Sequence, residues 1–385
     1  MEAAAAAPAG RTAWARNVGA PVRDFLRTES GGAAMLVGAA VLALVWANSP
    51  WRDTYESVWR TRLAITLGHD ALAADLRHWV NEGLMTFFFL VVGLEAKREV
   101  DLGELRERSR IAIPVVAALG GMAGAVGIYL AINHGGSGAP GWGAVISTDT
   151  ALALGVLALV TPTGATRLRV FLLTLVVVDD LAGLLVIGLA YTDRVSAVAL
   201  AVALGLFAVL IGLRYVGGRW RAPGAVVVGI GMWVAMFESG IDPIIVGLAI
   251  GLVTSAYPPA RDDLERATQQ TRLFREQPTP ELAYTAQRSV TAAISPNERL
   301  QYRLHPWTGF LVVPLFALAN AGIRIDGPLL GDAASSRVTI GIFLAYVVGK
   351  PLGIVGAAWL GTRRGARLVV TWPGLVGTGA AAGIG

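Results

Sequence analysis

Two adjacent aspartates in the middle of an apolar run are the residues in this sequence best placed to do chemistry. Asp179 and Asp180 sit inside Phe171-Leu-Leu-Thr-Leu-Val-Val-Val-Asp-Asp-Leu-Ala-Gly-Leu-Leu-Val-Ile187. An ionised side chain at the middle of a bilayer costs on the order of 3 kcal/mol on insertion scales, so a charge retained there is a functional signal. Neighbouring helical positions point about 100° apart, so the two carboxylates cannot share one role. One can meet a protein partner while the other faces a water-filled cavity. Carboxylates this close titrate as a coupled pair, the property a proton-exchanging site needs.

Three further groups break apolar runs. Lys350, in Tyr346-Val-Val-Gly-Lys-Pro-Leu-Gly353, either snorkels to an interface or, at depth, needs an acid to pair with. Pro351 beside it lacks an N–H and frees a carbonyl one turn earlier, on Val347. The polar run Ser147-Thr148-Asp149-Thr150 cuts another apolar stretch in two. That is the pattern of a broken transmembrane helix, tolerated at depth only where the backbone is buried in protein or lines a cavity. Glu82 opens the second apolar stretch, and Glu95, Arg98 and Glu99 lie in Gly93-Leu-Glu-Ala-Lys-Arg-Glu99 at its far end. Helix ends at a membrane interface often carry such charges; a cation-attracting funnel or a pH-sensing network would carry them too.

The elements that must position these groups are membrane spans. The 385 residues are 54% hydrophobic and 15% charged, against roughly 25% charged in a soluble globular chain. About eleven apolar stretches are long enough to cross a hydrocarbon core about 30 Å thick. They lie near 31–47, 80–96, 111–132, 141–160, 170–191, 195–213, 222–237, 243–257, 307–323, 338–360 and 368–385. The expected fold is therefore an all-α polytopic membrane protein. Residues 1–30 form an N-terminal arm, 31–385 the transmembrane domain, and 258–304 a long polar connection within it. That connection, with Pro278, Pro280 and Pro296, reads either as a solvated, partly disordered cytoplasmic loop or as a regulatory surface.

Arginines alternate from one connection to the next. They crowd the N-terminal arm, the connection after the second stretch (Arg106, Arg108, Arg110), and the later even-numbered ones up to Arg363, Arg364 and Arg367. By the positive-inside rule this places the N-terminus in the cytoplasm and the chain in an inner membrane. The first outer connection, with Arg52, Arg60, Arg62 and Arg77, is the exception. No removable signal peptide is read in the N-terminal arm. The formal charge of +5 is thus topology rather than a nucleic-acid footprint.

The chain contains no cysteine and only four scattered histidines, which excludes disulfides and thiolate chemistry and argues against a zinc cluster. No Walker or Rossmann motif points to a cofactor, and no nucleophile points to an enzyme. An intramembrane aspartyl protease would need its aspartates on separate facing helices. Paired acids, one lysine and a broken helix instead suit the movement of a small hard cation, which prefers oxygen ligands such as Asp180, Thr148 and freed carbonyls. The simplest scheme is competition: one carboxylate holds either the cation or protons, and alternating access exchanges them.

Six motifs together resemble one family. Val178-Asp-Asp-Leu-Ala182, Ser147-Thr-Asp-Thr-Ala-Leu-Ala-Leu-Gly-Val-Leu157, Gly93-Leu-Glu-Ala-Lys-Arg-Glu99, Leu304-His-Pro-Trp307, Pro314-Leu-Phe-Ala-Leu-Ala-Asn-Ala-Gly322 and Gly349-Lys-Pro-Leu-Gly353 are similar, in their order along the chain, to the bacterial NhaA-type sodium/proton antiporters. The resemblance implies an inverted-repeat transporter of twelve spans with discontinuous crossing helices. It implies Asp180 as the main carboxylate for Na+ or Li+ and protons, with Thr148 as a further ligand of the transported ion. Asp179 would exchange a salt bridge with Lys350, while Asp149 and Lys350 offset the ends of half-helices. Electrogenic exchange serving pH and sodium homeostasis is implied as well, and a homodimer in the lipid membrane is implied by the resemblance alone. No bound cofactor is expected.

Three departures set further expectations. Asp242, in Glu238-Ser-Gly-Ile-Asp-Pro243, stands where the family's best known member has a histidine that shifts the pH response. Gln301 and Tyr302 replace an acid and a histidine before Leu304-His-Pro-Trp307, after a much longer loop. The pH profile is therefore expected to differ. The sequence also stops at Gly385, within a Gly-Ile-Gly that the family continues into another helix. This leads to the expectation of a missing twelfth span, and with it the alternative of a non-transporting remnant. Another ion specificity, K+/H+ antiport or Na+-coupled symport, is the remaining alternative.

Overall fold

The computed structural model describes residues 29–67, 70–102, 108–146, 166–190, 195–213, 215, 221–257, 261–325, 331, 333, 335–363 and 370–384. They form a predominantly helical membrane protein. Helix α1 (Glu29–Ala47) turns by 118° into the short α2 (Arg52–Trp59). Helix α3 (Leu76–Asp101) contains a π turn at Trp79–Leu84, and α4 spans Arg108–Asn133. A 3-10 turn, Ala139–Val145, precedes α5 (Thr166–Ala190). Then come α6 (Ala197–Gly212), α7 (Arg221–Ser239) and α8 (Ile244–Val253). Among the described residues, α3, α4 and a later helix, Arg337–Arg363, are long and apolar enough to cross a membrane, and the bent α1–α2 pair would make a fourth.

Two expectations change. The all-α reading missed an antiparallel hairpin, β1 (Arg62–Leu67) with β2 (Asp70–Asp75), in register from Arg62↔Asp75 to Leu67↔Asp70. Alternation is short here, and only Ile65 and Thr66 are β-branched, so the strand signal is weak. The 258–304 segment is also helical where described. It forms α9 (Arg261–Glu276), α10 (Pro280–Ala292) and the start of α11 (Pro296–Trp307). Two of its prolines start helices rather than breaking them, while Pro278 lies between α9 and α10. Pro280 and Pro296 occupy the first helical position, each after a capping hydroxyl: Thr279 accepts from Leu282 N–H and Ser295 from Glu298 N–H. Helix α11 continues through a π turn, Thr308–Val312, into α12 (Val313–Asn320).

Glycine sets how closely the long helices cross. Helix α13 (Arg337–Arg363) packs along α4 and is followed by α14 (Trp372–Ile384). A Cβ on Gly349 of α13 would lie 2.8 Å from the carbonyl oxygen of Gly124. On α3, a Cβ on Gly93 would lie 2.6 Å from Leu248 O of α8. These are small-residue crossings, in which backbone meets backbone without help from a hydrophobic driving force. The main core lies where α4, α5, α13 and α14 converge, with Ile113, Leu172, Leu175, Ile354 and Leu375 all fully buried. That core surrounds the two charges described next.

Candidate functional site

Helix α5 carries Asp179 into the core, and α13 brings Lys350 to meet it. Lys350 Nζ lies 2.9 Å from Asp179 Oδ2, with each side chain 1% exposed. The same ammonium donates to the carbonyl of Ile146 at 2.8 Å and stands 5.5 Å over the ring of Tyr346. Tyr346 precedes Lys350 by one turn, and its hydroxyl donates to Ala144 O at 2.9 Å. Two side chains of α13 therefore hold the carbonyls of the chain that leads into Ser147.

Local sequence explains how the lysine reaches its place. Ala345–Gly349 form a π turn in which Lys350 N–H bonds back to Ala345 O, and Pro351 has no N–H to give the next turn. Across the interface, Gly121 of α4 leaves room for Ile354, one turn beyond the lysine: a Cβ there would sit 2.7 Å from Ile354 Cγ1. Asp180 follows Asp179 on α5, partly exposed and turned onto a different face. The site thus holds one sealed acid paired with a cation and one acid that is partly exposed. Thr148 and Asp149 lie outside the described residues.

The charges of α3 fall into two groups. Glu82, in the π turn, accepts from His78 Nε2 at 3.0 Å. Its backbone carbonyl accepts from Thr86 Oγ1, which in turn accepts from Trp233 Nε1 at 2.9 Å. Asp242, just before α8, accepts from Ile244 N–H at 3.0 Å. Burial pushes the Asp242 carboxyl above the ordinary carboxylate range, opposed by that hydrogen bond and by the nearby His78. Glu95, Arg98 and Glu99 lie about 20 Å farther along the helix, by its rise per residue. Glu95 and Glu99 are half-buried and Arg98 is exposed. In the same turn Lys97 Nζ pairs with the buried Asp101 at 2.9 Å. Among the described residues no group of three or more His, Cys, Asp or Glu is placed to hold a metal ion.

The model of the family described as Na+/H+ antiporter 1 matches residues 23–385. The chain belongs to that family. It is 52% identical over 378 residues to Na(+)/H(+) antiporter NhaA 1 of Salinispora arenicola, covering 97% of this chain and 58% of that protein. It is 50% identical to NhaA 3 of Salinispora tropica with the same coverage. With NhaA 3 of Frankia alni it shares 41% over 94% of this chain and 79% of the relative. The chain thus spans 58% of the length of the two Salinispora relatives. The resemblance read from the six motifs holds over nearly the whole sequence.

Several residues of this Na+/H+ antiporter 1 family member escaped sequence reasoning. Tyr346 was legible, one turn before Lys350 and with a hydroxyl able to reach a main-chain oxygen. Ile146 was not, since a main-chain carbonyl leaves no trace in residue type. Arg77, an exception to the arginine alternation, serves the structure instead. Its Nε donates to Ala319 O at 3.0 Å and its Nη2 pairs with Glu56 at 3.3 Å. It places a cation at the C-terminal end of α12, where the helix dipole is negative.

Proposed function

We propose that this chain carries out electrogenic exchange of cytoplasmic Na+ or Li+ for external protons, serving sodium and pH homeostasis. The observation that carries the reading is the sealed Lys350–Asp179 pair, beside a second, partly exposed acid and tied to the carbonyl that precedes Ser147. Asp180 is the carboxylate that holds either the cation or a proton, with Thr148 completing the oxygen ligands of the transported ion. Asp179 and Lys350 form the exchangeable ion pair, and Asp149 balances half-helix ends. Glu95 and Glu99, set by the Arg98 charge between them, draw cations toward one mouth, while Glu82 and Asp242 tune the response to pH at the other.

The same reading has about eleven spans and an inverted repeat in a bacterial inner membrane, with the N-terminus and the 258–304 segment in the cytoplasm. Lipid is the immediate partner, and a homodimer the expected assembly. No resident cofactor is needed, because the proton gradient drives the exchange.

Everted vesicles from a host without antiporters of its own test this. After energisation, a pH-sensitive dye should dequench on addition of Na+ and Li+ and not of K+. A response to K+ alone would assign another ion specificity. A well-expressed protein that gives no response to any of the three would refute the proposal.

A further inference from the structure

Asn297 is fully buried at the second position of α11. Its place is fixed by the N-cap of α11: Ser295 Oγ accepts from Glu298 N–H at 3.2 Å and donates to Glu298 Oε2 at 3.1 Å. From there its amide meets three segments. Nδ2 donates to Leu94 O of α3 at 2.8 Å and to Thr254 O, after α8, at 3.4 Å. Oδ1 accepts from Gln301 Nε2 at 2.8 Å, and the backbone N–H donates to Ser255 O at 3.3 Å. Two donors and an acceptor on one short side chain are the signature of an amide, and neither a carboxylate nor a hydroxyl supplies both donors.

Leu94 directly follows Gly93, whose missing Cβ lets α3 rest on the carbonyl of Leu248. Leu94 also directly precedes Glu95, with Arg98 and Glu99 one turn on. The α9–α10 hairpin ends at Ala292, three residues before the capping Ser295. Asn297 is therefore the joint between this helical insert and the charged turn of α3. Gln301, read from sequence only as the loss of an acid, has a use here as the partner that orients the amide.

We propose that Asn297 is a positioning residue for ion entry, locking the charged end of α3 to α8 and α11 so that Glu95, Arg98 and Glu99 present a fixed charged mouth. This rests on the exchange reading above. It acts on the capture of the cation and not on its translocation.

The test compares the full chain with Asn297→Asp, which keeps the shape and the acceptor but removes both donors when ionised. In everted vesicles the variant should need about 3–10-fold more Na+ for half-maximal dequenching at alkaline pH, with maximal dequenching within about twofold of the parent. The gap should narrow as pH falls, because the protonated acid regains one donor. Hydrogen exchange in detergent should rise in peptides covering residues 93–101 and stay unchanged in α4 and α13. Parental half-saturation together with parental exchange would overturn the proposal. So would uniformly raised exchange, or a lowered maximum at unchanged half-saturation. A parent that ignores Na+ refutes the antiport reading instead, and the hydrogen-exchange pattern still decides the joint. If Asn297→Asp fails to accumulate, Gln301→Leu probes the same joint, with a smaller shift in the same direction expected and no shift overturning the idea.

Discussion

Lys350 and Asp179 meet at 2.9 Å in the convergence of α4, α5, α13 and α14, each with 1% of its side chain exposed. Removing one partner of such a pair leaves a charge without solvent or counter-ion, a loss of about 3–5 kcal/mol. Lys350→Ala is therefore expected to lower the melting temperature in detergent by roughly 5–15 °C. Lys350→Arg keeps the positive charge in a bulkier, planar head and should retain part of both stability and exchange. A Lys350→Ala protein that melts with the parent would show that the pair does not hold the core.

Asp180 is expected to behave differently from its neighbour. It is partly exposed, so Asp180→Asn should leave the melting temperature within about 3 °C while Na+-dependent dequenching falls to background. Asn offers one carbonyl oxygen and no charge, and cannot hold a cation and a proton in turn. Exchange surviving in Asp180→Asn would remove this residue from the mechanism.

Tyr346→Phe isolates the second bond that α13 makes to the chain before Ser147. The hydroxyl lost from Ala144 O is worth about 0.5–1.5 kcal/mol, too little to unfold the protein. With Lys350 alone holding Ile146, the chain just ahead of Ser147 is less fixed. The Na+ concentration for half-maximal dequenching should rise about 2–5-fold, and unchanged half-saturation would mean that Lys350 suffices.

How much of this was legible follows from what residue type can express. A charge in an apolar run is conspicuous because water is absent there, so Asp179, Asp180 and Lys350 stood out, as did the polar interruption at Ser147–Thr150. Their pairing was anticipated through family resemblance, since periodicity gives no distance between residues so far apart in the chain. The bond from Lys350 to Ile146 goes to a main-chain oxygen, and residue type cannot foretell it. The polar insert was misjudged for a different reason. Proline counts against helix in the interior but starts helices after a capping Thr or Ser, and that distinction depends on one neighbouring residue. The hairpin was missed because six-residue strands with two β-branched residues barely exceed background.

Asp242 gives a prediction with a pH sign. Its carboxyl is half-buried beside Glu82 and His78, and its folded value lies above the ordinary one, mainly through burial. A folded state that holds the proton more tightly than the unfolded chain has that stabilisation in full below the ordinary carboxylate range. The contribution is lost as pH rises through the raised value. Asp242→Asn cannot ionise and still offers an oxygen to Ile244 N–H. The variant and the parent should therefore melt together in acid, and the variant should melt higher by about 1–3 °C from neutral pH upward. His78 and the Ile244 hydrogen bond stabilise the ionised form, so the gain stays small. A lower melting temperature for Asp242→Asn at alkaline pH would mean that the hydrogen bond from Ile244 N–H to the carboxylate outweighs burial, with the carboxylate, and not the acid, as the form the fold prefers.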